Sequence, residues 1–393
     1  MSDDRPLPLE GVTVLDLGQV YQGPYAGFLL AMAGARVIKI EPPKGEILRT
    51  RGPSLPFAML NSCKECVTLN LKERQGVEML LGLAEHAEVM LVNFSPEVPA
   101  RLGIDYASVS AVNPSIVYAH ATAFGLDAEG SVPGMDITVQ AHTGAMAVTG
   151  HPGSPPVKAG VAYVDFIGGT HLYGAITTAL FERERTGRGR SVEVTMADAS
   201  YMTLTTCLSA WYQTGESPRT GNAHPAGTIA PYDVYACADG WFAIIVISNK
   251  QWLALVDAMG RPEMATDPRF ETNAERAANT AALNDVITEW SSTMARDEVT
   301  ALLRSAHVPV AAVRDVNEVV RDEESIARGS IQWIDHPELG DVPLPHSPIR
   351  WHDSALLELD PSHPIGWDNG TVFGDLLGLS ASELETLTSA GVI

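Results

Sequence analysis

The chain of 393 residues carries 26 Lys and Arg against 48 Asp and Glu, a formal charge of -22, with 45% hydrophobic and 19% charged residues. That length suits about two domains, and the apolar share supplies packed cores. So acidic a surface repels polyanions, which argues against nucleic-acid and anionic-membrane partners, and no apolar run is long enough to span a bilayer. The opening MSDDRPLPLEG is acidic where a secretory signal is basic and then apolar, and only four cysteines occur. A soluble cytoplasmic protein without a disulfide framework is expected.

In chain order, residues 9–17 (LEGVTVLDL) predict a strand, 25–33 a helix opened by Gly23-Pro24, and 35–40 a second strand. Strand–helix–strand with a short glycine link is the unit of a parallel sheet. The alternation continues with a strand at 67–71, a helix at 75–86, a strand at 88–93, a short helix at 96–102 and a strand at 115–123. A helix ending at Thr186-Gly187-Arg188-Gly189, a strand at 191–196 and a helix at 198–211 follow. Residues 215–231, rich in Gly and Pro, read as a linker. Beyond it, strands at 232–236 and 241–246 flank the hairpin signal Asp239-Gly240. Helices at 250–259, 280–292 and 296–306 and a strand at 308–313 complete a smaller α+β unit. The stretch from His336 is rich in Pro and His, and 369–392 reads as helical.

Residues 158–172, KAGVAYVDFIGGTHL, stand out. A short apolar segment carries Asp165 to the turn signal Gly168-Gly169, with a helix leaving behind it. Glycines beside a carboxylate let a ligand approach the backbone, and free N–H groups at a helix start favour developing negative charge. The plainer role for Asp165 is a turn former or helix cap.

Cys63-Lys64-Glu65-Cys66 has the spacing of half a zinc site, but Cys207 and Cys237 are isolated and form no second pair, so no metal site is expected. G-x-S-x-G, the phosphate loop G-x-x-x-x-G-K-[ST] and G-x-G-x-x-G are all missing, which disfavours nicotinamide binding in its usual form. Between Arg36 and Arg74 eight basic residues (Arg36, Lys39, Lys44, Arg49, Arg51, Lys64, Lys72, Arg74) meet four acidic ones. Such a local excess suggests a small polyanion such as a phosphorylated nucleotide, against the alternative of a solvated face.

Taken in order, LEGVTVLDLGQVYQGPYAGFLLAMAGARVIKIEPPKGEILR, LNSCKECVTLNLKERQG, VMLVNFSPEVPARLGIDY, PGMDITVQAHTGAM, the Asp165 segment and FERERTGRGRSVEVTMADAS resemble the class III CoA-transferase family, which also contains the α-methylacyl-CoA racemases. The resemblance implies an open Rossmann-like α/β sheet domain from both chain ends (1–215 and 336–393), a smaller α+β domain with its linker (216–335), and an interlocked homodimer. It implies acyl-CoA and a small carboxylic acid as substrates, with no tightly bound cofactor. The CoA-binding set carried over is Tyr21, Gln22, Leu69, Leu71, Lys72, Asn93, Phe94, Ser95, Arg101, Gly134, Met135 and Asp136, with Lys72 and Arg101 as phosphate partners. Many relatives place Arg after the acid of IKIE; here Pro42 stands there, leaving Lys44, Arg49 or Arg51 to substitute.

The family's catalytic aspartate falls on Asp165, with Gly168 and Gly169 as candidate backbone donors to an oxyanion. In the transferases this carboxylate attacks a thioester and passes through covalent intermediates. Racemisation instead needs two acid/base groups flanking the α-carbon. Racemase relatives carry His within G-H-D where this chain has Gly134-Met135-Asp136, and a Glu where Asn249 stands, leaving only His142 or His151 as a replacement base. A non-catalytic acyl-CoA-binding protein is the remaining alternative. The donor and acceptor are not encoded in these motifs; small dicarboxylates or carnitine-like acids fit, and the glycine-run loop of formyl-CoA transferases is not evident.

Overall fold

In a computed structural model residues 5–50, 52–127 and 133–393 are described. The chain divides into two compact units: 1–142, 161–200 and 320–393 form the first, 143–160 and 201–319 the second. This division departs from the expected one, since 143–160 and 201–215 join the second unit and 320–335 joins the first.

The first unit is built on six strands, β1 Thr13–Asp16, β2 Arg36–Glu41, β3 Glu65–Thr68, β4 Val89–Val92, β5 Val117–Thr122 and β6 Arg190–Thr195. All pairings are parallel, in the order β3-β2-β1-β4-β5-β6. Both faces are covered, as parallel sheets require, so β4 and β5 are buried along their whole length. The two-residue period sorts their side chains. Leu15, Ile38, Met90 and Tyr118 pack on one face with Leu80, Leu83 and Phe373. Val14, Val37, Leu91 and Val117 pack on the other with Ala26, Leu30, Leu172 and Ile176. Strand order reverses between β1 and β4, and at such a switch point the loops leaving the strands diverge and open a crevice.

Two helices shape that crevice. The opening helix Gln22–Ala31 is buried at nine of its ten positions. The long helix Tyr163–Thr186 packs against it, and their close approach depends on two glycines. A Cβ at Gly168 would lie 2.8 Å from Gln22 Nε2, and one at Gly169 2.7 Å from Gln22 O and 3.0 Å from the Tyr25 ring. The expected glycine turn is therefore absent. Gly168 and Gly169 lie inside one continuous helix, where a neighbouring helix needs the space of their missing side chains.

The chain's last segment returns to the first unit. Asp368 Oδ2 accepts the Cys66 N–H at 2.6 Å and Asn369 Oδ1 accepts the Thr68 N–H at 2.9 Å, so side chains cap the open edge of β3. Helices Asn369–Leu377 and Ala381–Ser389 follow. An unanticipated antiparallel hairpin, Ile331–His336 with Gly340–Pro345, precedes them.

The second unit holds an antiparallel sheet, β7 Tyr232–Ala236, β8 Trp241–Ile245 and β9 Val310–Ala312. Helices Asn249–Ala258, Thr280–Ser291 and Arg296–Ser305 bury Trp252, Leu283 and Leu303 against Phe242. Ser248 with Gln251 and Thr272 with Glu275 form capping boxes at two helix starts. Buried Arg276 donates to Ala230 O (2.9 Å) and Phe270 O (3.0 Å) and lies over the Trp252 ring. Among the described residues no helix is long and apolar enough to cross a membrane.

Candidate active site

The loop after β1 is fixed by buried charges. Asp16 Oδ1 accepts the Gly18 N–H at 2.8 Å, and Asp16 Oδ2 pairs with Lys64 Nζ at 2.7 Å. Lys64 also donates to Pro24 O and Asn61 Oδ1, and Lys39 donates to Gly18 O. Glu46 Oε2 accepts the Val20 N–H at 3.0 Å, holding Val20 at φ 64°, a left-handed conformation unfavourable for a β-branched residue. Burial opposes ionisation of Asp16, yet Lys64 and Lys39 overcome it and hold its carboxyl below the usual range. Burial raises the Glu46 pKa. Asn93, leaving β4, closes the switch point: its Oδ1 accepts the Gln19 N–H at 2.8 Å and its Nδ2 donates to Gln19 O at 2.7 Å.

Above this floor lies a cleft with a cavity volume of about 200 Å³. Its wall comes from the strand ends: Gln19, Val20 and Gln22 after β1, Asn93 to Pro96 after β4, Ala121 to Gly125 at β5, and Met196 after β6. Pro133, Gly134, Met135 and Asp165 complete it.

Asp165 sits in the first turn of the long helix and is 8% exposed. Among the described residues no donor is paired with its carboxylate. Burial, with the nearby Asp136 charge adding to it, pushes its pKa up to about 7. Asp136 is itself engaged, its Oδ2 accepting the Val164 N–H at 3.0 Å and its Oδ1 the Gln140 side chain. It secures the helix start that carries Asp165.

The fold thus brings Gln22, Asn93, Phe94, Ser95, Gly134, Met135 and Asp165 to one cleft. Tyr21 lies beside it, its ring stacked on Phe166 at 6.0 Å. Leu69 is a core residue, 2% exposed, and Leu71 packs against the same core. Lys72 and Arg101 are exposed, and neither they nor the two leucines line the cleft. The oxyanion role foreseen for Gly168 and Gly169 is corrected, because amides inside a helix are engaged in its own i to i−4 ladder. Gln19, Val20, the β5 end and Met196 were not anticipated; their signal was position at strand C-terminal ends, legible only once strand order is known.

The basic excess between Arg36 and Arg74 also resolves differently. Arg36 pairs with Glu65 and Arg74 with Glu78. Arg49 chelates Glu41, donates to His363 O at 2.6 Å and lies over the Phe57 ring. With Lys39 and Lys64 buried, Arg49 is a structural ion and no substitute phosphate ligand. Of the other two candidates Lys44 is exposed, and Arg51 lies outside the described residues. Cys63 and Cys66 are free thiols, burial pushing Cys66 up to about 12. Among the described residues no group of three His, Cys, Asp or Glu is arranged to hold a metal.

A six-stranded parallel sheet with a carboxylate lining a cleft at its switch point is the architecture of an α/β protein that takes a small-molecule ligand. Residues 9–369 match CoA-transferase family III, and the chain belongs to that family. It is 34% identical to the formyl-CoA:oxalate CoA-transferase of Streptomyces coelicolor, over 98% of this chain and 99% of that one. It is 36% identical to the acetyl-CoA:oxalate CoA-transferase of Acetobacter aceti, over 87% and 89%. The crystal structure of a CAIB/BAIF family protein from Brucella suis superposes with a TM-score of 0.84 at 33% identity, covering 95% of this chain and all of that one.

Proposed function

We propose that this enzyme moves CoA from an acyl-CoA thioester to a free carboxylic acid through covalent intermediates on Asp165. An Asp165 oxygen attacks the thioester carbonyl carbon, and the tetrahedral oxyanion collapses with loss of CoA thiolate to leave a mixed anhydride. The thiolate attacks Asp165 Cγ and expels the donor carboxylate, giving an aspartyl-CoA thioester. The acceptor carboxylate attacks that thioester to regenerate the thiolate and a second anhydride. Attack of the thiolate on the acceptor's carbonyl then forms the new acyl-CoA and frees Asp165.

The observation that carries this reading is the buried Asp165 carboxylate, without a described donor and raised to about 7. Its charge is poorly stabilised, so acylation, which removes that charge, is favoured. Asp165 is also the only ionisable side chain among the described residues lining the cleft. That favours one nucleophile over the two bases of a racemase, and Met135 adds no proton carrier. His142, on the Phe124 ring and not on the cleft wall, is poorly sited as a second base. A non-catalytic acyl-CoA binder has no use for a carboxylate held at this energetic cost.

Small dicarboxylic acids are the proposed acceptor class, in keeping with the oxalate named for two relatives. The chain works as a cytoplasmic interlocked homodimer that does not separate on dilution while folded. Incubating the protein with several acyl-CoA donors and a panel of dicarboxylic acids tests the proposal, with mass spectrometry of the Asp165 peptide. CoA exchange with an adduct on Asp165, lost in Asp165→Asn, is expected. Acceptor-independent deuterium uptake at the α-carbon without exchange overturns it.

A further inference from the structure

Gln22 is a buried amide in a cleft otherwise walled largely by apolar side chains and backbone. It is 3% exposed and lines the same cavity as Asp165. Its Nε2 donates to Val194 O across a long 3.4 Å contact, and a primary amide nitrogen carries a second hydrogen. The same Nε2 fills the space that a Cβ on Gly168 would need, 2.8 Å from that position. Gly168 stands three residues after Asp165 on one helix, and residues so spaced share a face with Cβ positions about 5–6 Å apart. The missing side chain at 168 therefore leaves the Gln22 amide on the helix face that Asp165 shares, at the cavity that both line.

We infer that Gln22 is a catalytic residue whose second Nε2–H donates to the oxyanion formed on Asp165's own carboxyl oxygen. The inference rests on the aspartyl mechanism above. When thiolate attacks Asp165 Cγ, the carbonyl π pair moves onto an Asp165 oxygen, which becomes a tetrahedral oxyanion until the C–O bond to the donor acyl group breaks. The acceptor's attack on the aspartyl-CoA thioester generates charge on the same oxygen until the C–S bond breaks. A donor fixed beside this oxygen serves both steps, replacing the helix glycines that were expected to serve as donors. Gln22 thereby acts on the enzyme's own acyl group.

The test is a double-mutant cycle on Gln22→Ala and Gly168→Ala in the full-length protein. It reads CoA-exchange kinetics, melting temperature and the rate of aspartyl-CoA formation by quenched-flow mass spectrometry. Gln22→Ala is expected to lower kcat by about 10²–10³, the loss typical of one oxyanion donor, with KM for acyl-CoA nearly unchanged. Gly168→Ala, by displacing the amide, should cause a similar loss alone and little further loss in the Gln22→Ala background. Gln22→Glu sets a second carboxylate beside Asp165 and should move the acid limb of kcat/KM to higher pH. Unchanged aspartyl-CoA formation in Gln22→Ala, or a loss confined to KM or melting temperature, overturns the role of Gln22 while leaving the nucleophile intact. Absence of any Asp165 adduct in the wild-type protein overturns the mechanism itself, and the role of Gln22 with it.

Discussion

Replacing Asp165 by Asn should make the protein inactive and more stable. The folded carboxyl titrates near 7 because burial and Asp136 disfavour its charge, against 3.8 for the free side chain. Between those values the folded state keeps a proton that the unfolded chain has released. Stability from this group therefore falls as pH rises from about 4 to about 7, and the loss is complete above that. Roughly three pH units at about 1.36 kcal/mol each give an upper bound of about 4 kcal/mol. Urea denaturation of wild type and Asp165→Asn from pH 4 to 8 measures it: the variant's advantage should be smallest near pH 4, grow with pH, and level off above 7. CoA exchange in the wild type should follow the same titration in the opposite sense, kcat/KM rising with ionisation. A stability difference that is flat across this range, or that shrinks as pH rises, refutes the argument that Asp165 is held in an environment hostile to its charge.

Lys64→Met leaves Asp16 buried without its 2.7 Å partner and should cost about 3–5 kcal/mol in urea denaturation, much of it recovered when Asp16→Asn is added. Gly169→Ala drives a Cβ to 2.7 Å from Gln22 O and should destabilise by about 1–3 kcal/mol; an unchanged denaturation midpoint contradicts the close helix approach. Lys72→Ala and Arg101→Ala, both exposed and outside the cleft wall, should raise KM for acyl-CoA with kcat unchanged. Equal CoA affinity by calorimetry in both variants and wild type removes them as phosphate partners.

Much of the strand–helix alternation of the first unit was legible because apolar runs mark the strands and glycines such as Gly34 and Gly187 stop helices, whereas the short helices Leu55–Asn61, Tyr106–Val112 and Asp136–His142 were not. The helix from Tyr163 was misread because Gly168-Gly169 looks like punctuation; sequence does not reveal that a second helix passes there. Basic residues between Arg36 and Arg74 were legible as types but not as partners, since the acids that neutralise Lys39 and Lys64 include Asp16 and Glu46, brought close by the sheet. The hairpin from Ile331 escaped notice because its second strand carries two prolines, residues that usually demote a strand. The cleft was legible at Asp165 and Asn93 through motif resemblance. Its β5 wall, Ala121 to Gly125, depends on strand order.

The cap on β3 has a consequence for how the protein is made. Its outward amides, Cys66 and Thr68, wait for Asp368 and Asn369, 302 and 301 residues later. At synthesis rates of about 5–20 residues per second, that interval lasts roughly 15–60 s. Throughout it the nascent sheet has an open edge, able to pair with another extended strand. A truncation that removes 368–393, none of which lines the cleft, would make that temporary exposure permanent, so the shortened chain should appear first as aggregation.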